Sequence, residues 1–85
     1  MNILKTIQAE VTESTSFKSD IMTITDSYSR LCLFDNVHNE LGIINDNGCL
    51  KLEIDNFESD NMTKVGELKR VIEIFQFYNR KNSFK

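Results

Sequence analysis

The chain has 85 residues, 40% of them apolar and 27% charged, with a formal net charge of −3. One small domain spanning residues 1–85 is expected, and a core of this size leaves little room for an enclosed substrate cavity. The composition excludes a disordered tail, and no apolar run approaches the roughly eighteen residues a membrane-spanning helix needs.

At the N-terminus, MNILKTIQAE lacks a charged stretch followed by a long apolar run, so no export signal is expected and a cytoplasmic location follows by default. Two periods compete in this segment. Ile7, Ala9 and Val11 alternate with polar residues, as in a strand, while Ile3, Leu4, Ile7 and Val11 fit one face of a helix. The Thr and Ser content after Val11 favours the strand, followed by a polar loop over 12–19. Asp20 to Thr25 reads as a further strand, turned by Asp26-Ser27-Tyr28-Ser29. Arg30 to Val37 is apolar on both sides, with Leu31 and Leu33 on one and Cys32 and Phe34 on the other. Such a strand is usually central and covered. His38-Asn39 is a tight connection to a strand over Glu40 to Ile44. Asn45-Asp46-Asn47-Gly48 then forms a strong turn, because Asn-Gly supplies the positive φ that hairpins need. Leu50, Leu52 and Ile54 alternate with Lys51, Glu53 and Asp55, the pattern of a half-buried strand.

From Met62 to Arg80 the period changes to 3.6. Val65, Leu68, Val71, Ile72, Ile74, Phe75 and Tyr78 fill one half of the helical wheel, and Lys69, Arg70, Glu73, Gln76 and Arg80 fill the other. Glu67 is a polar exception at the edge of the apolar arc, and Phe77 is an aromatic outside it. Asp60 and Asn61 are N-cap candidates, Arg80 and Lys81 suit the negative end of the helix dipole, and Gly66 is an unfavourable helix residue. Residues 82–85 read as a frayed tail. The spacings predict an α+β domain, an antiparallel β-meander of four or five strands with one C-terminal helix packed on one face. Leu31, Leu33, Leu50, Leu52 and Ile54 are the expected set beneath the helix. Cys32, Phe34 and Ile44, with Met22 or Ile24, then face away from it. They form an apolar patch rimmed by carboxylates unless the N-terminal segment covers them.

Charge is segregated along the chain. Residues 10–60 hold eleven carboxylates against Lys18, Arg30 and Lys51, a balance of −8, whereas residues 61–85 hold six cations and two carboxylates, a balance of +4. A field of one sign steers a partner of the other and raises its association rate.

Chemical motifs are not apparent. The carboxylates fall at strand ends and turns rather than in a positioned pair, which disfavours acid–base catalysis. His38 reads as a surface turn histidine, not as the base of a nucleophile. Cys32 and Cys49 read as reduced, small apolar residues, and together with His38 they match no zinc spacing. Asp46-Asn47-Gly48 fails as a calcium loop, since Ile43 would occupy the first ligand position and Ile54 the twelfth. Gly42, Gly48 and Gly66 are too scattered to cradle a phosphate. No enzymatic activity, metal or cofactor is therefore expected. The basic residues Lys64, Lys69, Arg70, Arg80, Lys81 and Lys85 lie near Phe77 and Tyr78, as in some nucleic-acid-binding strips. Tyr78 belongs to the buried stripe, however, and the acidic segment repels a phosphate backbone, so direct nucleic-acid binding is disfavoured.

In size, acidity, a small sheet with one helix, and biased usage (nine Asn and nine Ile against one Ala and no Pro), the chain resembles small phage-encoded inhibitors such as anti-CRISPR proteins, and also toxin-immunity proteins. The resemblance assigns no role to any single residue. The acidic segment, the two-sided apolar strand and the absence of catalytic constellations lead to the expectation of a non-enzymatic binding protein that blocks a larger, basic, nucleic-acid-handling partner, for example a CRISPR nuclease or a nuclease toxin. On the residue reading, the carboxylates Asp26, Asp35, Glu40 and Asp46 steer the encounter, and Cys32, Phe34 and Ile44 anchor it. An alternative is a homodimer, an accessory or structural protein that buries the second sheet face against itself, with Phe77 adding to the contact. A second alternative is a regulator that binds nucleic acid through the basic helix.

Overall fold

A computed structural model describes residues 3–58 and 62–83. In chain order it contains α1 (Ile3–Ser14), β1 (Lys18–Thr25), β2 (Tyr28–Phe34), β3 (Glu40–Asp46), β4 (Cys49–Asn56) and α2 (Met62–Ser83). The strands make one antiparallel sheet in the order β1-β2-β3-β4. The expected α+β meander is thus present, with four strands and one helix more than expected.

That extra helix corrects the reading of the N-terminal segment as a strand. Leu4, Ile7 and Val11, spaced by three and four residues, are fully buried, while Ala9, which strand alternation would bury, is exposed. The Thr and Ser residues after Val11 finish the helix instead of extending a strand. Both the amide and the hydroxyl of Thr15 donate to the Val11 carbonyl, at 2.9 and 2.8 Å, closing the last turn. The polar loop expected over 12–19 shrinks to residues 15–17, and Phe17 within it is buried.

Alternation governs the sheet. Leu31 pairs with Ile43 and Leu33 with Leu41 across β2–β3, and Ile43 pairs with Leu52 across β3–β4. Asn47 and Gly48 both have positive φ (54° and 88°), the two-residue turn whose twist matches that of the strands it joins. The Gly48 amide also donates to Asn45 Oδ1 at 2.9 Å. These apolar side chains meet Leu4, Ile7 and Val11 of α1 and Val71 and Ile74 of α2 in one cluster, with Phe17 and Leu50. Both helices therefore lie on the same face. Ile54, expected in this core, is 51% exposed. It sits towards the end of edge strand β4, beside the register shift between Glu40 and Leu41.

Helix α2 continues to Ser83, so residues 82 and 83 are helical where a frayed tail was expected. The expected caps Asp60 and Asn61, and the end of the tail at 84–85, lie outside the described residues. Among the described residues no helix is long and apolar enough to cross a membrane.

Candidate functional site

Period-two alternation on β2 turns Arg30, Cys32 and Phe34 away from the helices. Register places their neighbours. Phe34 lies between Lys18 and Glu40, Cys32 between Asp20 and Gly42, and Arg30 between Met22 and Ile44. Tyr28 and Asp46 pair in the next row, and Asp46 pairs in turn with Cys49. Phe34 is 37% exposed, Met22 and Ile24 are more exposed still, and Cys32 is half-buried with its Sγ 3.8 Å from Met22 Sδ. The second sheet face anticipated from the two-sided β2 is therefore open.

One side chain organises this face. Arg30 reaches from β2 across β3, over Gly42, and its two terminal nitrogens donate to Glu53 and Asp55 of β4. A Cβ at Gly42 would overlap the guanidinium, so this crossing needs glycine at that position. Ile44, directly opposite Arg30, is only 5% exposed beside the long arginine stem. Ile44 is thus not free to anchor a partner, a correction to the expected set.

A second correction concerns Asp35. Its side chain is 5% exposed and its oxygens are fully engaged inside the protein. One oxygen accepts the Val37 and Asn39 amides, each at 3.0 Å. The other accepts Asn39 Nδ2 at 3.0 Å and pairs with Lys64 at 3.2 Å. Lys64 also reaches Glu67 at 3.1 Å and the Ser16 hydroxyl at 2.8 Å, with its ammonium 4.8 Å from the centre of the Phe17 ring. Glu67 in turn accepts the Ser16 amide and hydroxyl at 2.8 and 3.0 Å. Fully buried Asn39 accepts the Glu58 amide at 2.9 Å. The polar exception on the α2 arc therefore has a structural task.

Burial by itself would raise the Asp35 carboxyl, but hydrogen bonds from the Asn39 side chain and the Asn39 and Val37 amides, with Lys64 beside them, outweigh it and hold Asp35 below the usual carboxylate range. Glu67 is likewise lowered, burial being outweighed by the Ser16 amide and Lys64. Lys64 is raised, burial being outweighed by Glu67 and Asp35. A small cavity of about 190 Å³ opens beside this cluster, lined by Ser16, Lys18, Asp35, Asn36, Val37 and Lys64.

The other expected residues divide between two places. Asp26 lies in the β1–β2 turn and Asp46 at the end of β3, and the two turns are tied by the Asn47 amide donating to the Ser27 carbonyl at 2.7 Å. Between them is an open depression of about 490 Å³ lined by Asp26 and by hydroxyls and amides, including Thr23, Ser29 and Asn45. Phe77 is exposed on α2, its ring edge-on to Tyr78 and its face towards Lys81. Because α2 covers the other face of the sheet, Phe77 is not part of the Phe34 surface. Tyr78 donates to Glu10, which raises the phenol above its ordinary value. Both cysteines are free, and among the described residues no group of three or more His, Cys, Asp or Glu side chains could hold a metal.

The open face thus gathers Cys32, Phe34, Glu40 and Asp46 from the expected set. It adds Asp20 and Met22 from β1, which only the register reveals. It also carries all three cations of the acidic segment, Lys18, Arg30 and Lys51, so its charge is far milder than the sequence balance suggests. Three of its carboxylates are already paired, Glu53 and Asp55 with Arg30 and Asp46 with Lys51 at 3.6 Å. Among the described residues, Asp20 and Glu40 have no ion-pair partner. Comparison with protein families, curated proteins and solved structures found no match to this chain.

Proposed function

We propose that this chain is a non-enzymatic binding protein that occludes a basic surface of a larger, nucleic-acid-handling protein. The reading rests on one observation. Among the described residues, a sheet face that neither helix covers presents Phe34, Cys32 and Met22 beside Asp20 and Glu40, which have no ion-pair partner there. The carboxylates steer encounter with Lys and Arg on the partner, and the apolar centre holds the complex once water has left it. Inhibition of a bacterial defence nuclease or a nuclease toxin is the biological setting that this chemistry suits.

The test is capture by the immobilised chain at low and raised salt, followed by a competition assay. The captured protein should be basic, should be retained less well at raised salt, and should lose nucleic acid when the chain is added. Phe34→Asp should abolish retention while leaving the circular dichroism unchanged. Recovery of no basic protein at either salt refutes the reading.

A second reading is self-association along edge strand β1. Its Ile21–Thr25 run carries no charge, and Met22 and Ile24 in it are well exposed, which leaves that edge poorly guarded against pairing. Light scattering decides the matter, since a monomer at high micromolar concentration removes this alternative.

A further inference from the structure

We infer that Phe34, with Glu40 beside it and Asp20 one row away, is the seat for an arginine side chain of the partner. The inference rests on the reading of the open face as a protein-binding surface, and it names the chemical group that face takes.

Three observations converge on this position. First, the two carboxylates of the open face that have no ion-pair partner among the described residues flank the same stretch of β2. Asp20 is directly across from Cys32, and Glu40 is directly across from Phe34. Side chains directly opposite have Cβ atoms about 4.5–5.5 Å apart, and diagonal ones about 7–8 Å. A cation over the Phe34 ring is therefore within reach of both carboxylates.

Second, Phe34 reaches solvent and lacks a cation of its own among the described residues. Phe17 and Phe77 each have a lysine ammonium over the ring, at 4.8 and 5.2 Å. Phe34 is 37% exposed and has no such cover among the described residues. Its own cross-strand cation, Lys18, donates to Asn36 Oδ1 at 3.2 Å.

Third, the same face already holds one guanidinium. Arg30 lies over Gly42 and binds two β4 carboxylates, so carboxylates on neighbouring positions of this face hold a guanidinium. A guanidinium stacks on an aromatic ring and presents a fork of donors to carboxylates, whereas a lysine ammonium is a strongly hydrated point charge. An arginine thus fits the pairing of a part-exposed ring with adjacent carboxylates better than a lysine does.

The test is a titration of the isotopically labelled full chain with the capped tripeptide Ac-Gly-Arg-Gly-NH2, followed by NMR. The neutral isostere containing citrulline in place of arginine, and the lysine tripeptide, are the comparisons. The arginine peptide should produce saturable shifts centred on Phe34, Glu40 and Asp20, with the lysine peptide weaker and the citrulline peptide weaker still. Phe34→Leu, which keeps the apolar bulk and removes the ring, should weaken binding by about 2- to 5-fold, the range expected of an exposed cation–ring contact. Glu40→Gln should do the same. Absence of shifts, equal shifts with citrulline, shifts spread over all the carboxylates, or unchanged binding by Phe34→Leu would each overturn the inference. Retention of the captured basic protein by Phe34→Leu and Glu40→Gln separates the two levels. Undiminished retention without tripeptide binding removes the seat alone. Tripeptide binding without any basic partner removes the partner reading and leaves the seat standing.

Discussion

Two ionic clusters in this molecule share one plan, a cation between an aspartate and a glutamate, and have different tasks. At the helix side, Lys64 sits between Asp35 and Glu67, and on the open face Arg30 sits between Glu53 and Asp55. The first cluster is largely buried, with side chains 5 to 19% exposed, whereas the carboxylates of the second are 42 and 51% exposed. The first also joins segments far apart in the chain, namely the Ser16 loop, the 35–39 loop, Glu58 and the start of α2. The second joins strands already held together by the backbone ladder. Removing one partner of an ion pair is costly chiefly where the pair is dry, because the other charge is then left buried without compensation, and where the pair joins otherwise independent segments. On an exposed sheet a pair does little beyond setting the local charge.

Removal of one partner from each cluster separates their tasks. Asp35→Ala deletes the acceptor for four donors and leaves fully buried Asn39 and largely buried Lys64 without it. It should cost about 2–4 kcal/mol in urea unfolding. Arg30→Ala should cost within about 1 kcal/mol, the scale of an exposed pair. Equal losses for the two variants would mean that burial and connectivity do not separate the clusters.

Acid provides the next largest effect. Asp35 and Glu67 are held below the ordinary carboxylate range, so the unfolded chain takes up their protons first as the pH falls. Their contribution is complete above the unfolded value of about 4 and is lost as the pH drops through the lowered folded values. Melting temperatures measured between pH 6 and pH 2 should therefore hold steady and then fall below about pH 4. The fall should be shallower in Asp35→Asn, and a steeper fall in that variant would assign the acid sensitivity elsewhere.

Much of the fold can be read from local pattern, because period-two residues on β2 and β4 and the Asn47-Gly48 turn act within a few positions of one another. Helix α1 was obscured for a specific reason. Ile7 and Val11 satisfy both a strand and a helix period, so only Leu4 and the exposure of Ala9 separate them. The outward direction of Cys32 and Phe34 was also legible, as the reverse side of Leu31 and Leu33. Three features of the site were not. Ile44 is nearly buried on the outer face, in the row between Arg30 and Lys51. Asp35 is consumed by a lysine 29 residues away, and Asp20 joins the face only through the β1–β2 register. The helical wheel shows that Phe77 avoids the core but not which side of the sheet the helix covers, so its separation from the open face is not legible in the sequence. An arginine and a glycine at same-face positions of adjacent strands, with a carboxylate on the third, is a pattern that could have revealed the fork in advance.

The fork itself can be sharpened by a double-mutant cycle. Gly42→Ala should displace the Arg30 guanidinium and cost about 1 kcal/mol, most of it through the lost contacts to Glu53 and Asp55. In an Arg30→Ala background the same substitution should cost nothing, because the methyl group then meets no guanidinium. Additive losses would show that Gly42 is required for some reason other than the arginine above it.

Gly66 supplies the smallest effect and the opposite sign. It lies within α2, and a Cβ built on it meets nothing within 4 Å. Close approach to the sheet therefore does not account for the glycine, and its backbone is not in the positive-φ region that would require one. Gly66→Ala should accordingly stabilise the fold by about 0.5–1 kcal/mol, through helix propensity and the reduced freedom of the unfolded chain. Because Gly66 lies between Lys64 and Glu67, this gain acts on the helical turn that carries the buried cluster. Combined with Asp35→Ala, it should recover only its own increment, since it restores the turn and not the missing acceptor. Urea unfolding of the single and double variants reads both quantities. A gain that grows in the Asp35→Ala background would show that the cluster's main contribution is to hold the first turns of α2 in helical form rather than to join the loops around it.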